Sequence, residues 1–355
     1  MLRATIIVFL AFFLNKPIWA AENLQKIVFG SCAKERMEQP VWQAITQETP
    51  DLFLFIGDNQ YSDMQNKNGE LVMAPVTDIA RLVEAYEMLG KQPGYQQLVK
   101  TTPIMATWDD HDYGANDAGK NYPLKEASQQ AFLDFFKFPK DHPIRKQAGI
   151  YHSKIFGQAD QRVQIIMLDT RYHRDDLSPS AKTGVRYQAH TEKGLTILGQ
   201  AQWEWLEQEL RKHADIRIIV SSIQLVAYEH GWESWGLFPQ ERQKMYSLIE
   251  KTKAKGVLFL SGDRHLTEIS QDNGQLGNTV PYRIWDFTSS GMTDRERAVN
   301  ETNSFRVGPV YRGTNFGVVE IDWSEDKATT QIHLTSKKQS GEIITKQTLF
   351  LGELQ

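Results

Sequence analysis

Cysteine is almost absent from this sequence: Cys32 is the one such residue in 355. A lone sulfur closes no internal bridge, so a disulfide framework is excluded. A basic excess is missing too. The net charge is −4 at pH 7, whereas nucleic-acid binders usually carry a basic footprint. No repeat of fixed period and no long low-complexity tract is visible. Beyond the first 20 residues no apolar run is long enough for a stable membrane span. What is there is an ordinary globular composition, 41% hydrophobic and 24% charged, with length for a large core.

The opening stretch, MLRATIIVFLAFFLNKPIWAAENLQ, differs from the rest. Arg3 gives a positive start, residues 4–14 are almost wholly apolar, and Ala20 and Ala21 are small and precede a polar segment. This is a signal-peptide plan. The expected organisation is a signal peptide over 1–20, cut after Ala20 or Ala21, and one domain over 21–355, periplasmic or secreted. Exported proteins normally use cysteine in disulfides. Cys32 is therefore either a buried small hydrophobe or a sulfur with a task such as binding metal.

Six apolar runs predict strands: KIVFGSC (26–32), DLFLFIGD (51–58), TTPIMATWDDHD (101–112), VQIIMLDTR (163–171), RIIVSSIQLV (217–226) and GVLFLSGDRH (256–265). Their cores are continuous rather than alternating, as in strands covered on both faces. Helical spacing lies between them. Ile79, Leu82, Val83, Tyr86 and Leu89 fit one helix; Trp203, Leu206 and Leu210 fit another. FPQERQKMYSLIEKTKAKG sets a Pro near a helix start and Gly256 just past its end. Strands alternating with helices predict an α/β domain. After residue 266 short strands follow one another, and they are expected to belong to the same domain, in a second sheet.

The endings of these runs carry the chemistry. The first ends at Cys32 and the second at Asp58, with Tyr61 close behind. The third ends in Asp109, Asp110, His111 and Asp112, followed by Asn116 and Asp117. The fourth ends in Asp169 and Arg171, and the sixth in Asp263, Arg264 and His265. Ligand sites of open α/β sheets lie beyond the carboxyl ends of strands. Carboxylates gathered there cannot all ionise without compensation. Metal ions supply it, and Asp, His, Asn, Tyr and Cys can all bind metal. Two ions roughly 3.5–4 Å apart form a clamp for displacement at phosphorus.

FGSC, GDNQY, TWDDHDYGAND, LDTR and SGDRH, in that order over residues 29–265, resemble the motifs of PhoD-like alkaline phosphatases and phosphodiesterases of the metallophosphatase superfamily. The resemblance implies a four-layer α/β/β/α sandwich with two mixed sheets. It implies that residues 21–355 are a catalytic domain acting on small phosphate esters, monoesters first and diesters second. It also implies Fe³⁺ and Ca²⁺ as cofactors, other divalent ions being alternatives. Cys32, Tyr61 and His265 would then bind iron, Asp58 would bridge the ions, Asp110 and His111 would be supplied to the site, and Asn116 and Asp263 would serve the second, calcium-type position. Thiolate and phenolate suit a small, highly charged ion, and an oxygen-only set suits Ca²⁺. Two features of some relatives, an N-terminal β-rich domain and a C-terminal lid, have no counterpart in the motifs here.

Several roles stay open at this point. Asp109 either touches metal or orients a ligand from behind. His111 is a ligand, a donor to the transition state or a structural partner. Arg171 either grips phosphate oxygens, as a planar guanidinium can, or pairs with a neighbouring Asp; Arg264 fits the structural role better. His111, Arg171 and Asp109 are the candidate catalytic groups. The segment AYEHGWESWGLFPQER (227–242) reads as a loop at the site's edge, with Trp232 and Trp235 either walling a pocket or pinning the loop. His152, His173 and His190 are read as ordinary surface or core residues. A non-catalytic metal-binding module would be expected to show broken motifs, and these are intact.

Overall fold

The computed structural model describes residues 23–67 and 70–355. The expected signal segment over 1–20 lies outside the described residues. All six apolar runs are strands, and they divide three and three between two sheets. Lys26–Gly30, Leu52–Ile56 and Ile104–Thr107 pair in parallel in the first sheet. Val163–Met167, Ile216–Val220 and Val257–Ser261 pair in parallel in the second.

Alternation of side chains along each strand decides which layer it feeds. In the first sheet Ile27, Phe29, Leu52, Leu54 and Ile56 face the second sheet. Val28, Phe53 and Phe55 face outward, onto Trp42, Leu82, Tyr86, Leu98 and Phe132 of the covering helices. Phe29 meets Phe287 edge-on across the sheets, centroids 4.9 Å apart. Helices Gly199–Leu210 and Pro239–Thr252 pack on the second sheet through Trp203, Leu206, Met245 and Ile249. The result is the four-layer α/β/β/α sandwich with two mixed sheets. Both faces of the central strands are covered, which is why their sequences do not alternate.

Three local expectations are corrected. The late strands do not form one added sheet. Ile284–Ser289 joins the second sheet, whereas Asn315–Asp322, Gln331–Lys338 and Ile343–Phe350 extend the first through antiparallel pairing with Lys26–Gly30. Val83 fits the helix Ile79–Lys91 by spacing but is exposed. Gly256 does not cap the helix Pro239–Thr252; Lys253 takes the left-handed conformation there, and a Cβ on Gly256 would lie 2.1 Å from the Asp215 carbonyl. Among the described residues no helix is long and apolar enough to cross a membrane.

Candidate metal centre

The parallel strands of both sheets point their carboxyl ends at one place. After Leu52–Ile56 the chain turns sharply at Gly57, with φ +111, where an added Cβ would sit 2.7 Å from Asp109 Cβ. Only glycine allows the turn before Asp58 to come this close to Asp109. Cys32, Asp58, Asp263 and His265 are all non-glycine residues with positive φ. Backbone strain of this kind costs about 1–3 kcal/mol per residue and gathers where function over-determines the chain.

Two clusters share Asp58. On one side, Cys32 Sγ lies 3.4 Å from Asp58 Oδ2, and Tyr61 Oη lies 3.1 Å from the same oxygen and 3.2 Å from His265 Nε2. Cys32, Asp58 and His265 form one set of possible metal ligands. On the other side, Asp58 groups with Asp110 and His111, and Asp109 with Asp110 and Asp263. Asn116 lies on the loop following Asp110, its amide donating to Asp117 Oδ2 at 2.5 Å while the Asp117 N–H donates to Asp110 Oδ2 at 2.7 Å.

The electrostatics call for a cation. Asp109 Oδ2 and Asp110 Oδ1 are buried with no hydrogen-bond donor, an arrangement costing about 1–3 kcal/mol per group. Burial, reinforced by neighbouring carboxylates, raises Asp58, Asp109 and Asp263 well above the usual carboxylate range. Burial and the Asp58 charge likewise raise the Cys32 thiol and the Tyr61 phenol. Asp110 goes the other way: against burial, His111, Arg171 and the Asp117 N–H hold it low. A bound cation would relieve the crowded carboxylates and favour thiolate and phenolate. The donor set fits a metal pair.

Supporting residues that carry no motif complete the centre. Asp294 Oδ2 lies 2.5 Å from His265 Nδ1, and Asp294 pairs with Lys34 at 3.0 Å. Asp63 bonds His111 Nδ1 at 2.8 Å, and the His111 ring stacks on Tyr61 with centroids 4.0 Å apart. Ser290 Oγ lies 3.0 Å from Cys32 Sγ and accepts the His265 N–H at 2.9 Å. For Asp63 the one sequence signal is its place two residues after Tyr61; Asp294 and Ser290 sit in irregular segments without a pattern.

The fourth strand ending stands behind the two ligand sets. Asp169 brings no ligand to the centre; it accepts from the Trp108 indole and the Ile150 and Tyr172 N–H groups, each at 2.9 Å. Arg171 is fully buried. Its Nε donates to Asp109 at 2.6 Å and its Nη1 to Glu233 at 2.6 Å. Of the two roles open to Arg171, pairing with a neighbouring Asp is the one seen in this conformation, where the guanidinium has no exposed surface. Arg171 belongs to a closed circuit: Glu233 also pairs with Arg174 at 2.8 Å, Arg174 donates to the Asp117 carbonyl at 2.5 Å, and Asp117 returns to Asp110. Arg264 pairs with Glu301 at 2.8 Å and with Asp263 at 3.5 Å. Trp235 is buried, its indole donating to Ser221 at 2.9 Å, so it pins the loop, whereas Trp232 stays outside.

A family model described as PhoD-like phosphatase matches residues 27–339. Alkaline phosphatase D of Bacillus subtilis (strain 168) is 22% identical over 274 residues, covering 68% of this chain and 46% of the relative. The chain thus spans about half the length of that curated relative. A solved structure of PhoD superimposes with a TM-score of 0.68 at 17% identity, covering 92% of this chain and 72% of its own. Purple acid phosphatase PPD1 from yellow lupin seeds gives 0.57 at 13% identity, covering 94% and 55%. These likenesses show a shared metallophosphatase-like fold.

Proposed function

The chain belongs to the PhoD-like phosphatase family, and we propose that it is a metal-dependent hydrolase of phosphate esters, with monoesters as principal substrates. One observation carries this reading: acidic, thiol, phenol and imidazole groups from separate strand ends meet in two ligand sets that share Asp58.

In this reading Cys32, Asp58, Tyr61 and His265 would hold Fe³⁺, and Asp58, Asp110, Asp263 and Asn116 would hold Ca²⁺. When bound, the pair supplies positive charge for attack of water on phosphorus and for the developing oxyanion. The chain's residues do the rest. His111, its Nδ1 fixed by Asp63 and its ring grouped with Asp58 and Asp110, donates through Nε2 to a phosphoryl oxygen or the leaving group. Asp109 and Arg171 position the second ligand set from behind. A P–O bond to water's oxygen forms, the ester P–O bond breaks, water gives up a proton and the departing alcohol takes one.

Phosphodiesters are the second reading, favoured by the exposed Trp232 beside the site, which leaves room for a second ester group. The segment over 1–20 supports an exported enzyme, periplasmic or secreted, and the lone Cys32 suits such a protein if its sulfur binds metal.

Assays on nitrophenyl mono- and diesters, before and after chelation and metal reloading, test the proposal. Activity lost to chelator and restored by metal is expected, with the monoester faster; no hydrolysis of either ester after reloading would overturn it. Fe³⁺ bound to Tyr61 and Cys32 would colour the protein, and a colourless, iron-free, active enzyme would refute the iron assignment alone.

A further inference from the structure

Trp232 is a large apolar side chain left 39% exposed, yet everything around it is fixed. The Gly231 carbonyl accepts from the Arg186 and Tyr187 N–H groups at 3.0 and 3.1 Å. The Trp232 N–H donates to His230 Nδ1 at 3.1 Å. Glu233, the next residue, is locked between Arg171 and Arg174. A single exposed apolar residue needs no explanation by itself; one held outward by so many bonds is a built feature.

Its position is also specific. The Arg264 guanidinium lies 5.1 Å from the indole centroid and that of Arg186 lies 5.6 Å away. Arg264 stands between Asp263 and His265 in the chain. Arg186 pairs with Asp117 at 2.6 Å, and the Asp117 N–H holds Asp110. The indole therefore links the two flanks of the Asp109, Asp110 and Asp263 cluster. Among the described residues neither the indole Nε1–H of Trp232 nor Arg186 Nη1 has a hydrogen-bond partner, Arg186 being engaged through Nε and Nη2. An aromatic surface with free donors beside an anion-handling centre suits a planar ring with acceptor atoms on its edge, attached to the phosphate through the leaving alcohol.

We propose that Trp232 determines specificity by receiving the ring of the leaving alcohol, so that nucleoside phosphates are preferred over phosphates of small acyclic alcohols. This rests on the phosphoesterase reading above. The probes are adenosine 5′-monophosphate and glycerol 3-phosphate, both esters of primary alcohols, so the bond broken is matched. In metal-loaded Trp232→Ala the ratio of kcat/KM for the nucleotide over that for glycerol phosphate is expected to fall about tenfold, through KM, the size of one aromatic contact. Trp232→Phe should keep part of the preference. Adenosine, which has no bond to hydrolyse, should bind the wild type in calorimetry and bind the Ala variant about tenfold more weakly. An unchanged ratio in a folded variant, or adenosine binding absent from the wild type or equal in both proteins, overturns the proposal. A wild type that binds adenosine through Trp232 but hydrolyses neither phosphate would instead sink the phosphoesterase reading, and a wild type preferring a diester over both probes would move the loop's role to a second ester group and overturn it too.

Discussion

Asp294 Oδ2 lies 2.5 Å from His265 Nδ1, and this leaves Nε2 as the ring atom that faces Tyr61, in the ligand set with Asp58. Partners of this kind fix the tautomer and the ring plane, and removing them typically lowers metal affinity or activity about 10–100-fold. Asp294→Ala is therefore expected to lower iron affinity within that range while leaving the fold intact. Metal analysis after dialysis, together with the visible absorption of the iron form, checks this. Unchanged iron retention would mean that the Asp294 contact is incidental.

Glu233 sits far in sequence from the candidate ligands Asp58 and Asp110 but closes the circuit through Arg171 and Arg174 to Asp109 and Asp110. Breaking one partner of a buried charge pair costs about 3–5 kcal/mol because the survivor is left uncompensated. Glu233→Gln should loosen the Asp109 and Asp110 side while sparing the Cys32 side. The expected result is at least tenfold weaker Ca²⁺ binding in calorimetry with the iron colour retained. Equal loss of both metals would show that the circuit supports the whole fold rather than one position.

Gly57 is a sharper case. Alanine there would take the strained φ of +111 and press on Asp109 Cβ at 2.7 Å. Strain alone is worth about 1 kcal/mol or more, and the clash displaces a residue behind the second ligand set. Gly57→Ala should lower the melting temperature by several degrees and reduce activity by at least tenfold. Wild-type activity in this variant would show that the turn tolerates a shift of Asp109.

Much of this was open to sequence reasoning because the strands are buried on both sides and end abruptly in polar residues. Cys32, Asp58, Asp110, Asp263 and His265 are each one or a few residues past an apolar run, so topology alone carries them to the strand ends. The assignment of strands to sheets was not legible. Lys26–Gly30 pairs with Asn315–Asp322, a partnership across nearly the whole chain that no local pattern encodes. The direction of Arg171 was not legible either. Its sequence position allows it to face substrate, and two buried carboxylates, Asp109 and Glu233, each 62 residues away in the chain, draw it inward.

Metal removal should make stability depend on pH with a definite sign. Burial and neighbouring carboxylates raise Asp58, Asp109 and Asp263 in the folded chain. Against burial, Asp110, Asp58 and Asp63 raise His111 as well. A raised group binds its proton more tightly when folded, so the folded chain holds more protons than the unfolded one above about pH 4, the ordinary carboxylate value. The contribution of these groups to the stability of the metal-free protein therefore falls as pH rises from there toward neutrality and beyond. His152, His230 and His265, lowered by burial, act in the opposite sense up to about pH 6.5, the first two with or without chelator and His265 in the metal-free form. The low Asp110 works in the opposite sense, but its window lies below that of ordinary carboxylates. Bound cations replace the missing protons, so the loaded protein should not show this decline. Thermal unfolding at pH 5 and pH 8, with and without chelator, measures the difference. The gap in melting temperature between loaded and metal-free protein is expected to widen at pH 8; a gap that is equal at both, or wider at pH 5, would mean that the clustered carboxylates are not what the metals compensate.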